Sequence, residues 1–165
     1  LSIAPEKVSH VFLTHSDRDH TGGLKFFENT KIHISKKEEQ LLKGEKKRFF
    51  KIFKNQPLKR EYLTFNDGDT FKIGELHIRC LITPGHTIGH TCYLINDSYI
   101  FTGDLLRIKG DEIKPFFSII NMDHNQNKES ILKVVELLQE QPIKYIFTGH
   151  TGYSSNIEAF IQSWL

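Results

Sequence analysis

Within six residues, His15 to His20, the chain places two imidazoles and two carboxylates: His15, Asp17, Asp19 and His20. Val8 to Leu13 precedes them and reads as a buried strand despite the polar Ser9 and His10. Leu24 to Phe27 follows and reads as a short helix, so the cluster occupies a loop at a strand end. Side chains of this kind, crowded together, repel or stay solvated at a cost unless a cation holds them. One divalent metal ion, or a pair, answers that requirement. Three later segments repeat the arrangement: Thr83-Pro84-Gly85-His86, Thr102-Gly103-Asp104 and Thr148-Gly149-His150. Each delivers a His or Asp after an apolar strand and a Gly-containing turn.

The rest of the chain supplies strands and helices in alternation. Asp19 to Glu28 is expected to be helical and Lys31 to Ser35 a strand, with His33 an ordinary strand histidine. Ser35 and Glu38 have capping-box spacing and predict a helix start. Short strands are expected over Arg60–Phe65, Thr70–Ile73, Leu76–Thr83, Thr91–Ile95, Ser98–Thr102 and Ile143–Phe147. Asn96-Asp97 marks a hairpin turn. A helix over Ile131–Glu140, starting at Asn127 or Glu129-Ser130, carries an apolar stripe of Ile131, Val134, Val135 and Leu138. Asn156 to Trp164 closes the chain as a helix. This pattern predicts a layered α/β (α+β) protein in one domain over residues 1–165, consistent with a length of 165 residues and 38% hydrophobic content.

The ordered set THSDRDHTGG, TPGHTIGHT, FTGD and FTGH resembles the metallo-β-lactamase superfamily, over nearly the whole chain. The resemblance implies a four-layer αββα sandwich, truncated at its N-terminus because the strands and hairpin that usually precede the first motif are missing. It also implies two divalent ions. His15, Asp17, His86 and a bridging Asp104 would hold the first, and Asp19, His20, His150 and the same Asp104 the second. Zinc is the expected metal, with iron or manganese as alternatives. A purely structural zinc site favours Cys ligands, and neither cysteine falls in these motifs. His90 is expected to pack beside the ligands, and His10, His77 and His124 to have strand or surface roles.

One position departs from the family pattern, usually His-x-His-x-Asp-His: its second His is Asp17. A carboxylate in place of a neutral imidazole removes one unit of positive charge from the site and makes the ligand set harder. The implied activity is that of a metal-dependent hydrolase, in which a metal-bridging hydroxide cleaves a small ester, thioester, lactone or phosphodiester, with Asp19 and Asp104 as catalytic carboxylates. Two other readings share the scaffold: an iron redox enzyme, such as an oxygen reductase or persulfide dioxygenase, and a non-catalytic remnant.

The partner expected is therefore a small-molecule substrate. Residues 36–60 carry ten basic and three acidic side chains interleaved with Phe49, Phe50, Ile52 and Phe53. That segment reads either as a surface for an anion, nucleic acid or membrane, or as a solvated helix whose aromatics roof the site. Net charge of +2 is compensated elsewhere and points to no nucleic-acid partner. No apolar run approaches a membrane span. Cys80 and Cys92 lack metal-site spacing and read as buried reduced thiols, which suits a cytoplasmic protein. An uncovered sheet edge at the N-terminus would invite homo-oligomer formation. Phe116, Phe117 and Ile119 are candidates for an apolar pocket wall.

Overall fold

The computed structural model describes residues 3–48, 55 and 57–165. The aromatic stretch Phe49, Phe50, Ile52 and Phe53 lies outside them. The first sheet comprises β1 (His10–Phe12), β2 (Lys31–Ser35) and β3 (Leu63–Phe65), all parallel in that order. Parallel neighbours need a crossover. Between β1 and β2 it is made by α1 (Arg18–Thr21) and a 3-10 turn over Gly22–Phe26. The single helix expected there is thus split at Gly22. Between β2 and β3 the crossover contains α2 (Glu39–Leu42).

The second sheet begins with β4 (Thr70–Ile73), β5 (Leu76–Ile82), β6 (Thr91–Ile95) and β7 (Tyr99–Phe101), a run of antiparallel hairpins. Asn96 and Asp97 turn between β6 and β7 with φ of 49° and 48°, the paired positive values a two-residue hairpin of this hand needs. A separate hairpin follows, β8 (Leu106–Lys109) with β9 (Glu112–Pro115), which no strand pattern in the sequence marks. Then come α3 (His124–Glu140), β10 (Tyr145–Phe147), β11 (Tyr153–Ser154) and α4 (Ile157–Gln162). The order across the second sheet is β11-β10-β7-β6-β5-β4. Helix α3 starts earlier than its apolar stripe indicates, because the Asp123 carboxylate accepts a hydrogen bond from the Gln126 N–H at 2.9 Å and caps it.

Burial follows the layers helix, sheet, sheet, helix. Leu13, Ile32 and Ile34 pack with Leu24 and Leu42 outside the first sheet. Phe65 of β3 meets Ile78, Cys80 and Tyr93 between the sheets. The Tyr93 hydroxyl donates to the Leu13 carbonyl at 2.5 Å, a direct link between the sheets. On the far side Cys92, Leu94, Ile100 and Ile146 face Ile131, Val134, Val135 and Leu138 of α3 and Ile157 and Phe160 of α4. Both cysteines are buried and unpaired, and burial pushes each thiol up to about 12.

His33 stays an ordinary strand residue: it is buried, stacks on Phe12 with centroids 4.3 Å apart, and hydrogen-bonds His10 at 2.9 Å. β1 forms one edge of the first sheet. On β7, β10 and β11 an aromatic ladder, with Phe101 on Phe147 and Tyr99 on Tyr145, leaves Phe101, Tyr145 and Tyr153 exposed. Among the described residues no helix is long and apolar enough to cross a membrane.

Candidate metal centre

Every candidate ligand sits where a strand ends. His15 and Asp17 follow β1, and Asp19 and His20 lie on α1. His86 lies in the turn after β5, Asp104 after β7, and His150 after β10. The parallel strands β7 and β10 carry Asp104 and His150 out side by side. Gly149 allows the approach: a Cβ there would lie 2.4 Å from Asp104 Oδ1 and 3.0 Å from His20 Cε1. At the opposite wall Gly89 plays the same part, since its Cβ would lie 2.1 Å from the Glu38 backbone nitrogen.

Asp19, His20, Asp104 and His150 converge on one point. His20 Nε2 lies 3.1 Å from His150 Nε2 and 3.6 Å from Asp19 Oδ2. Asp104 Oδ2 lies 3.4 Å from His20 Nε2 and 3.3 Å from His150 Nε2, which is itself 3.3 Å from Asp19 Oδ2. Ligand bonds of about 2.0–2.1 Å in a tetrahedron put neighbouring ligand atoms roughly 3.3 Å apart. These five spacings match that edge length. Asp104 is 3% exposed, and its Oδ1 accepts no hydrogen bond among the described residues, so its lone pairs are left to a cation. Burial would raise the Asp104 carboxyl, but the His20 hydrogen bond and the neighbouring imidazoles outweigh it and hold it at about 2. In His20 the balance runs the other way: burial lowers its pKa, and the Asp104 carboxylate more than restores it. This donor set fits a divalent metal.

His15, His86 and Asp104 form a second focus beside the first. Asp104 Oδ2 is 3.5 Å from His86 Nε2 and 3.9 Å from His15 Nε2, so one carboxylate serves both foci. Asp17 Oδ2 is 3.5 Å from each of the same two nitrogens. It does not act there as a free donor. The Arg48 guanidinium reaches in from the basic segment, its Nε 3.0 Å from both Asp17 oxygens and its Nη2 bonded to Oδ2. Arg48 Nη2 also lies 2.9 Å from His86 Nε2. Burial would raise the Asp17 carboxyl, yet the neighbouring His15 and His86 rings and the Arg48 guanidinium hold it far below the usual range.

Residues outside the ligand set hold this geometry. Glu38 is buried and accepts four hydrogen bonds: from Ser16 N at 2.9 Å, Ser16 Oγ at 2.7 Å, Thr87 Oγ1 at 2.7 Å and Gly89 N at 3.0 Å. It ties the loop of His15 to the loop of His86. The Ser35 hydroxyl does accept from the Glu38 N–H at 3.1 Å, but the carboxylate of the expected capping box is spent on this clamp instead. His90 Nε2 accepts from the Asp104 N–H at 3.2 Å, which leaves Nδ1–H to face Thr83 Oγ1 at 2.9 Å. Asn55 Nδ2 donates to Asp17 Oδ1 at 3.1 Å. Phe116 walls the site, its ring 5.7 Å from those of both His86 and His150. Phe117 and Ile119 stand exposed beyond it.

The description of the metallo-beta-lactamase superfamily matches residues 1–150. The chain belongs to that superfamily. A probable polyketide biosynthesis zinc-dependent hydrolase of Bacillus subtilis is 36% identical over 157 residues, covering 92% of this chain and 60% of the relative. An atrochrysone carboxyl ACP thioesterase of Pseudocercospora fijiensis is 31% identical over 102 residues, covering 59% of this chain and 25% of the relative. The chain thus spans less than two thirds of the first relative and a quarter of the second. Among solved structures, an archaeal superfamily member from Sulfolobus tokodaii has a TM-score of 0.69 at 19% identity, covering 96% of this chain and 68% of that one. That likeness bears on the fold: the αββα sandwich of the superfamily.

Proposed function

We propose that the chain is a metal-dependent hydrolase acting on a small acyl thioester or ester, with zinc held by His20, Asp104 and His150 beside the Asp19 carboxylate, which leaves the fourth position for water. The observation that carries this reading is the ligand geometry, four side-chain atoms from three separate segments, α1 and the turns after β7 and β10, spaced 3.1–3.6 Å apart. A zinc ion held there supplies a Lewis acid and lowers the pKa of water toward neutrality. Asp104, buried and ionised, fixes the donor set through the His90 bond to its backbone. Asp19 is the exposed carboxylate of the group and takes the proton from the attacking water. Water adds to the acyl carbon, the C–S or C–O bond breaks, and the leaving thiolate or alkoxide takes up a proton.

Phe116, whose ring lies 5.7 Å from that of His150, favours an apolar acyl group together with the exposed Phe117 packed against it. The relatives named as a zinc-dependent hydrolase and a thioesterase support the same class. A small-molecule substrate and a reducing, cytoplasmic setting belong to this proposal, the latter supported by two unpaired thiols. The test is a panel of N-acetylcysteamine thioesters of rising chain length, a homoserine lactone and a phosphodiester, assayed with zinc. Thioester turnover that rises with chain length and is lost in Asp19→Asn supports the proposal. Oxygen uptake, or turnover of none of the panel, refutes it.

A further inference from the structure

The geometry points to a chain that holds one metal ion, not two, with the Arg48 guanidinium as a built-in cation in place of the other. This rests on the metal reading of the Asp19, His20, Asp104 and His150 centre. An Arg N–H only donates, so His86 Nε2, 2.9 Å from Arg48 Nη2, accepts with its lone pair. Its Nδ1 then carries the proton and meets Asn121 Oδ1 at 3.1 Å. The tautomer is the one a metal would need, but the lone pair is aimed at Arg48. Asp17, the other donor expected at this focus, is held by the same group.

Arg48 is built into this position. Its five N–H groups are all matched: Nε to the Asp17 carboxylate, Nη2 to Asp17 Oδ2 and His86 Nε2, and Nη1 to the His86 and Ile120 carbonyls. The side chain is buried at 3% exposure. A planar fork satisfied on every edge is a fixed group. The charges agree as well. One divalent ion and one guanidinium neutralise the three carboxylates Asp17, Asp19 and Asp104. The departure at Asp17 gains a reason: imidazole there would have nothing to offer the guanidinium as an ionic partner, whereas a carboxylate accepts its bidentate bonds. With its donors spent, Arg48 is a positioning residue, setting the charge and orientation of Asp17 and His86.

The test is zinc titration of metal-stripped protein, counting bound zinc per chain, for wild type, Arg48→Met and Arg48→Met with Asp17→His. The wild type should bind one zinc tightly and a second at least about a hundredfold more weakly, the factor that breaking a buried ion pair implies. Both variants should bind two. A readout on the wild type alone guards against variants that fail to fold: on adding one equivalent of zinc, the imidazole nitrogen NMR signals of His20 and His150 should shift and that of His86 Nε2 should stay. Two tightly bound zinc ions in the wild type, a shift at His86, or a folded Arg48→Met that still binds one would overturn the inference. No zinc bound by any variant would overturn the metal reading itself.

Discussion

Glu38→Ala should loosen the centre without touching a ligand. The carboxylate accepts two backbone N–H groups, Ser16 and Gly89, and two hydroxyls, Ser16 and Thr87. Hydroxyls can rotate to other acceptors, but the two N–H groups are fixed by the chain and buried with their residues. Each buried donor left without a partner costs about 1–3 kcal/mol, so the variant should lose roughly 3–5 kcal/mol, toward the upper part of what one substitution removes. Because the clamp joins the His15 and His86 loops, freeing it should also displace Asp17 and His86. Zinc held by His20 and His150 should then weaken by no more than about tenfold, the low end of the effect of residues behind the ligands. Urea unfolding of zinc-loaded wild type and variant gives the first number, and competition with a chelator gives the second. A stability loss under about 1 kcal/mol, well below the penalty for orphaned N–H groups, would refute the clamp.

Gly149→Ala places a methyl 2.4 Å from Asp104 Oδ1; it should cut zinc affinity by about 10–100-fold while leaving the melting temperature of the metal-free protein within a few degrees, as chelator competition and calorimetry would read. Burial pushes Cys80 and Cys92 up to about 12, so neither thiol should react with a disulfide reagent at pH 8 until the chain is unfolded. Burial, with His10 and Lys31 nearby, lowers His33 from 6.5 to about 4. The unfolded chain then binds the extra proton between those values, so stability should be full above pH 6.5 and fall as pH drops toward 4, by at most about 3 kcal/mol. His33→Gln should flatten that slope in pH-dependent urea unfolding, and an unchanged slope would count against the assignment.

The four ligand segments were readable because each pairs an apolar strand with a Gly-containing stretch and its donors, four in the first segment and one in each of the others, all local in sequence. The structure gathers His15, Asp19, His20, His86, Asp104 and His150 at one pair of foci. What surrounds them was not readable. Glu38 shows capping-box spacing, and only the fold reveals that Ser16, Thr87 and Gly89 lie nearer its carboxylate than the helix start does. Arg48 is one of ten basic residues in 36–60, and its selection depends on Asp17, thirty-one positions earlier. The one local hint was Asp17 itself, a carboxylate where the family pattern has His. The start of α3 was missed because its first turn, His124 to Asn127, carries no apolar residue. The β8–β9 hairpin was missed because its strands are only four residues each and its turn, at Gly110, needs a positive φ of 61° that no flanking pattern announces.

The most direct measurement of the central claim is thioester turnover against bound zinc per chain, on protein stripped by chelation and reloaded in steps. The account predicts no turnover without metal, and a rise that is linear and complete as the Asp19, His20, Asp104 and His150 centre fills. Turnover that survives complete removal of metal, or that stays absent at full zinc occupancy, would contradict it.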